Sequence, residues 1–196
     1  MAVVLVDAGG TNIGSVRYAL QRLGVDAALT ADAAAIRAAD KVILPGVGAA
    51  GPGMARLRAL GLVELMRSLS QPVLGVCLGM QLLFTNSEEG DTECLGLIPA
   101  TVRRLAERPG LRVPHMGWNG LSVQREHSLL RGLSDGEQAY FVHSYAVPAN
   151  EWTLASADHG GPFSAVIACG NFHGMQFHPE RSAAVGANLL KNFLAL

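Results

Sequence analysis

This chain of 196 residues shows no strong bias in charge, cysteine usage or hydrophobic run length. Lys and Arg number 15 against 16 Asp and Glu, for a net charge of −1. That balance excludes both the basic footprint of a nucleic-acid binder and an acidic tail. Long hydrophobic runs are missing too. The longest uncharged apolar stretch lies around residues 72–84, short of the ~20 residues that cross a bilayer. The start, Met1-Ala2-Val3-Val4-Leu5-Val6 followed by Asp7, has no basic leader, so no signal peptide is expected. Cysteine appears three times (Cys77, Cys94, Cys169), with no CxxC spacing. An odd count without such pairs argues against a zinc site and a disulfide framework and for a reducing compartment. Internal repeats and low-complexity linkers are lacking as well. The expectation is a soluble, cytoplasmic protein with a single domain over residues 1–196, no nucleic-acid partner and no membrane partner.

What is present is apolar residue in quantity: 49% of the chain is hydrophobic, enough to fill a layered core without staples. In the first half this material alternates between strand-like and helix-like segments. Ala2–Val6 reads as a buried strand and Asp7–Thr11 as a glycine-rich turn. A helix capped by Thr11 or Asn12 then runs to about Leu23 and stops at Gly24. Val25–Thr30 and Lys41–Leu44 are further strands, and Pro45-Gly46-Val47-Gly48 is a loop. Helical spacing of Met54, Leu57 and Leu60, then Leu62, Leu65, Met66 and Leu69, fills the stretch before Pro72. Strand 73–76 and a helix over Met80–Asn86 follow. Such alternation implies a mainly parallel sheet covered by helices on both faces.

The second half changes character. Residues 87–96 are acidic and polar and read as a solvated loop. From Leu97 to Phe177, short apolar runs separated by Gly, Pro, Asn or Asp read as an antiparallel or mixed extension of the sheet: Thr101–Leu105, Leu121–Val123, Gln138–Val142, Trp152–Ser156, Ser164–Ala168 and Phe172–Phe177. Leu189, Leu190, Phe193 and Leu194 mark a closing helix. The fold class expected is α/β, with a mainly parallel central sheet flanked by helices and an antiparallel extension.

The chemistry concentrates at Gly75-Val76-Cys77-Leu78-Gly79. A cysteine between two glycines, where a strand hands over to a helix, has the form of a strained nucleophile turn with sulfur in place of oxygen. Unpaired N–H groups at the helix start favour a thiolate there. Cys94 and Cys169 lack such a setting and read as buried core residues. A nucleophile needs a base and a group that orients it. Among six histidines, His178 stands out in Gly174-Met175-Gln176-Phe177-His178-Pro179-Glu180. An apolar strand delivers it, Pro179 stops the strand, and Glu180 follows two residues on. The Leu78 N–H and a backbone N–H from Pro45-Gly46-Val47-Gly48 are candidate donors for an oxyanion.

These residues resemble the motifs of the class I (triad) glutamine amidotransferases. Pro114-His115-Met116-Gly117-Trp118-Asn119, Tyr140-Phe141-Val142-His143-Ser144-Tyr145 and Gln176-Phe177-His178-Pro179-Glu180-Arg181-Ser182 narrow the resemblance to the glutaminase subunits of imidazole glycerol phosphate synthases. The resemblance implies a flavodoxin-like three-layer fold and hydrolysis of L-glutamine through a thioester. It implies Cys77 as nucleophile, His178 as base and acid, and Glu180 as orienter. Gly46, Val47 and Leu78 would serve the oxyanion; Gly48, Gln81, His143, Ser144 and Tyr145 would hold the substrate. No cofactor or metal is implied. A (β/α)8-barrel cyclase subunit would complete a heterodimer, take up the ammonia and make imidazole glycerol phosphate and aminoimidazole carboxamide ribotide in histidine biosynthesis. Around Trp118 and Trp152 lie candidate interface anchors, with His115–Asn119 favoured by the resemblance. Other triad amidotransferases, a non-enzymatic binding relative and a peptidase of similar fold are the competing readings.

Overall fold

The structure, a computed structural model, describes residues 1–9 and 13–196. The opening apolar run forms β1 (Val3–Val6), and α1 (Ile13–Arg22) follows. Thr11 and Asn12, the expected caps of that helix, lie outside the described residues. Next come β2 (Ala28–Thr30), α2 (Ala33–Ala38) and β3 (Lys41–Gly46). Asp32 caps α2, its carboxylate accepting from Ala35 N at 2.7 Å, which satisfies a first-turn donor. The apolar periodic stretch after the Gly-rich loop divides into α3 (Ala50–Ala59) and α4 (Val63–Ser68). Gly61, at φ +66°, makes the break.

β4 (Val73–Cys77) leads directly into α5 (Leu78–Gln81). That helix is one turn long, where the apolar run had suggested a helix over Met80–Asn86. Phe84–Ser87 is instead β5, pairing with β6 (Thr92–Glu93) and β7 (Ile98–Arg104). A short apolar run is ambiguous between helix and strand, and here the available partner strands decide it. The polar stretch 87–96 thereby carries a strand and part of a hairpin.

The remaining elements are β8 (His115–Gly120), β9 (Ser122–Val123), β10 (Gln138–His143), β11 (Tyr145–Ala146), β12 (Thr153–Asp158), β13 (Pro162–Cys169), β14 (Phe172–Met175) and α6 (Ala183–Leu194). The main sheet has eight strands in the order β2-β1-β3-β4-β14-β13-β12-β9. From β2 to β14 the pairings are parallel; from β14 outward to β9 they are antiparallel. The expected α/β sheet with an antiparallel extension is therefore present. Two smaller sheets stand apart from it, β10-β8 and β11-β7-β5-β6. β8 escapes a propensity reading because it contains Gly117, Asn119 and Gly120. Six paired positions with β10 hold it.

Strand alternation sends side chains to two cores. Val3 and Leu5 join the cluster under α1 and α6, whereas Val4, Val6, Val42 and Leu44 join the one under α2, α3 and α4. That is the three-layer arrangement. At its centre β3, β4 and α5 approach unusually closely. A Cβ on Gly79 would lie 1.8 Å from the Leu44 carbonyl oxygen, and one on Gly75 would lie 2.6 Å from Gly79 O and Met80 Cα. Backbone occupies those positions, so no side-chain shift can relieve the clash. Gly79→Ala is expected to destabilise the protein by about 3 kcal/mol or more. Denaturant midpoints of the variant and parent measure this, and equal midpoints would contradict the packing described.

Candidate active site

Cys77 ends β4 with φ 53° and ψ −112°, a backbone conformation that is costly for a residue bearing a Cβ. β3 and α5 clamp it there. Gly46 pairs with Cys77 across the ladder, and a Cβ on Gly46 would meet Gly79 N at 2.7 Å. The sharp turn lifts the thiol off the sheet plane into a cavity of about 280 Å³. Leu78 opens α5, where first-turn N–H groups have no intrahelical acceptor.

His178 lies just beyond β14, before a 3-10 turn over Pro179–Arg181. Its Nδ1 is 2.9 Å from Glu180 Oε1, and its ring is also hydrogen-bonded to Cys77. The turn is pinned from several sides. His178 N donates to Tyr140 O at 2.9 Å. Ser182 Oγ donates to His178 O at 2.7 Å and accepts from Tyr140 N at 2.9 Å. Burial opposes a charge on His178, but hydrogen bonds to Cys77 and Glu180, with the negative charge of both, outweigh it and push the imidazole up to about 10. Chemically, the arrangement supplies a sulfur nucleophile, a group that can give and take a proton, and a carboxylate fixing that group's orientation.

Val47, Gly48, Leu78, Gln81, His143, Ser144 and Tyr145 line the same cavity as Cys77 and His178. Gly46 does not; it borders a small void behind, with Val47 and His178. Gly48 adopts φ +95°, which explains glycine at that position. Glu89 also lines the cavity, although its stretch reads as solvated loop. Its carboxylate accepts from Ala50 N at 2.8 Å, capping α3 where Ala49 offers no side-chain cap. Because that cap comes from 39 residues away, no local pattern announces it. Pro114 and Val142 complete the wall.

Two of the residues expected to contact substrate make hydrogen bonds within the protein. Both N–H groups of the Gln81 amide are used, on Tyr145 O at 2.8 Å and Gln176 Oε1 at 3.0 Å. His143 is held by Tyr145 O and His115, each 2.9 Å from a ring nitrogen. Asn119 Nδ2 is 3.2 Å from His115 Nε2 and donates to Asp158 O at 2.8 Å. Asp158 O is an acceptor only, so the amide nitrogen must face this way. His115 Nε2 then accepts, its Nδ1–H donates to His143 Nε2, and His143 Nδ1–H donates to Tyr145 O. Burial pushes His115 down to about 4 and His143 down to about 3, in keeping with two neutral rings. Of the candidate interface anchors, Met116 and Trp118 on β8 are 63% and 50% exposed, whereas Trp152 packs against the second core.

The family model for glutamine amidotransferase class-I matches residues 4–196. The chain belongs to that family. Among its relatives, an imidazole glycerol phosphate synthase subunit HisH from Xanthomonas axonopodis pv. citri is 59% identical over 194 residues, covering 99% of this chain and 97% of the other. A HisH subunit from Xylella fastidiosa strain Temecula1 is 57% identical over the same shares. Amidotransferase folds are also found among solved structures. One described as a glutamine amidotransferase superposes with a TM-score of 0.78 at 21% identity, covering 100% of this chain and 98% of that one. A chain of PurLQS from Thermotoga maritima gives 0.73 at 18% identity, covering 99% and 97%.

The neutral histidines of this amidotransferase predict acid lability. Their folded-state values lie below the ordinary 6.5, so the unfolded chain binds more protons between the two. Stability is therefore complete above pH 6.5 and falls as pH drops toward 4. His115 alone is expected to cost on the order of 1–2 kcal/mol between pH 7 and pH 5. Chemical denaturation at both pH values checks this, and a flat profile would contradict neutral rings.

Proposed function

We propose that the chain is the glutaminase subunit of an imidazole glycerol phosphate synthase, hydrolysing L-glutamine to glutamate and ammonia. The observation carrying this reading is the hydrogen-bonded line Cys77–His178–Glu180 at a cavity sized for a small ligand. The HisH relatives, aligned over nearly the whole chain, support the assignment. The Cys77 thiolate attacks the side-chain carboxamide carbon of glutamine. Backbone N–H groups of the Val47 loop and Leu78 stabilise the oxyanion, with Gly46 placing that loop against the turn. His178 gives its proton to the departing nitrogen, so ammonia leaves and a γ-glutamyl thioester remains. Water then attacks the thioester while His178 takes its proton, and glutamate is released. Glu180 keeps the ring oriented throughout.

Gly48, Gln81, Ser144 and Tyr145 form the substrate walls, with Gln81 offering its Oε1 and Glu89 a carboxylate to the ammonium group of glutamine. His143 acts through its position beside Tyr145, since both ring nitrogens are engaged. The partner is a cyclase subunit built on a (β/α)8 barrel, joined as a heterodimer, which receives the ammonia and completes this step of histidine biosynthesis. Free ammonia protonates at neutral pH and loses its nucleophilicity, so direct transfer suits the chemistry. Residues 1–196 are read as one amidotransferase domain working in the cytoplasm. Among the described residues no helix is long and apolar enough to cross a membrane.

Cys77→Ala is expected to lower glutamine-dependent synthesis by the complex at least ~10³-fold while ammonia-dependent synthesis continues. Loss of both in a folded complex would count against the reading. Complementation of a histidine auxotroph separates it from glutaminases of other pathways.

A further inference from the structure

Gln176 is fully buried and belongs to neither the nucleophile, the base nor the orienting carboxylate. Burying an amide is costly unless its polar atoms are paired. Here the pairing has a definite sense. Gln81 spends one N–H on Tyr145 O, an acceptor with no donor of its own, and the other on Gln176 Oε1. That second contact sets the Gln176 amide, because reversing it would bring two NH2 groups face to face. The Gln176 Nε2 consequently points the other way, toward Cys77 Sγ at 3.9 Å, a length suited to the larger radius of sulfur.

The thiol has a second polar neighbour at the same distance, the Val142 carbonyl, to which Sγ–H donates at 3.9 Å. These two groups favour opposite forms of the cysteine. Val142 O is an acceptor and serves the neutral thiol. When the proton passes to His178, that contact loses its hydrogen, while Gln176 still has one to give to a negatively charged sulfur. Hydrogen bonds to charged groups are the stronger kind. We infer that Gln176 is a further catalytic residue of this site, whose side-chain N–H holds the Cys77 thiolate, with Gln81 acting as the positioning residue that aims it. The same contact would steady the sulfur when it departs from the thioester as a thiolate. Gln81 thereby has two tasks, one toward the cavity and one toward the sulfur. The inference rests on Cys77 being the nucleophile.

Two substitutions separate this role from packing. Gln176→Glu keeps shape and still accepts from Gln81, but turns a carboxylate oxygen toward the sulfur. Gln176→Met keeps volume and removes the donor. The readout is the rate of Cys77 alkylation by iodoacetamide against pH, followed by peptide mass so that Cys94 and Cys169 do not contribute. Circular dichroism and denaturant midpoints establish folding. The titratable groups around the sulfur are His178 with Glu180 behind it, Glu89 and Tyr145 across the cavity, and His143. None of them is altered by either substitution. Both variants are expected to move the midpoint of the alkylation profile upward, by about one to two pH units for Gln176→Glu and less for Gln176→Met. In the complex, kcat for glutamine hydrolysis should fall about 10-fold or more with the same ranking. If Gln176→Glu does not fold, Gln176→Met alone decides. A folded variant with an unshifted profile overturns the inference, whether or not kcat changes, and leaves Cys77 as nucleophile. A parent protein whose Cys77 resists alkylation at every pH overturns both.

Discussion

The backbone of Cys77 is held at φ 53° and ψ −112°, and the rest of the site is built around keeping it there. Such a conformation persists only where its surroundings over-determine it. Here the surroundings are three pieces of backbone in contact: the end of β3, the end of β4 and the single turn of α5. Gly46, Gly75 and Gly79 remove the side chains that would push these pieces apart. With the turn secured, the sulfur stands clear of the sheet, the first-turn donors of α5 lie beside it, and β14 brings His178 up from the neighbouring strand. The parallel order β3-β4-β14 is thus what assembles the Val47 loop, the Cys77 sulfur and the His178 ring at one end of the sheet, as open α/β sheets generally do.

Beside Cys77, His178 and Glu180 runs a second system, made of neutral polar groups. Asn119, His115, His143, Tyr145 O, Gln81 and Gln176 form a chain, buried at His115, His143, Gln81 and Gln176, in which the identity of each donor follows from its neighbour. Satisfied networks of this kind specify one geometry, because any rearrangement leaves a polar atom unpaired in a poorly solvating interior. The two histidines contribute by remaining uncharged. The contrast with His178 is a matter of surroundings. All three rings are buried, but only His178 faces anionic partners; burial, with neighbouring histidines adding to it, lowers the others.

Much of the fold was legible from alternation and punctuation. The parallel half, its glycine stops and the two chemical motifs are local in sequence, and the turn at Cys77 is where they were expected. Local patterns failed where partners from afar decide. Leu82, Leu83 and Phe84 read as helix until β7 is present to pair with Phe84. β8 has little strand character of its own and exists through β10. Glu89 looked like solvated charge because the N–H it caps lies far back along the chain. In the site, residue types were readable but commitments were not. His143 seemed available to a ligand, yet both its nitrogens are taken, and Gly46 serves the architecture of the turn from outside the cavity.

The glycines on either side of Cys77 form one sequence pattern with it, a pattern that reads as a signature of reactivity. Their steric roles say otherwise. Gly75 and Gly79 are required by the crossing of backbones, whatever atom stands between them. A descendant that abandoned the reaction but kept the architecture would still retain both, and would be free to lose the sulfur. In this fold, then, the glycine pair reports architecture, while evidence of surviving chemistry has to be sought in the cysteine and the groups that face it.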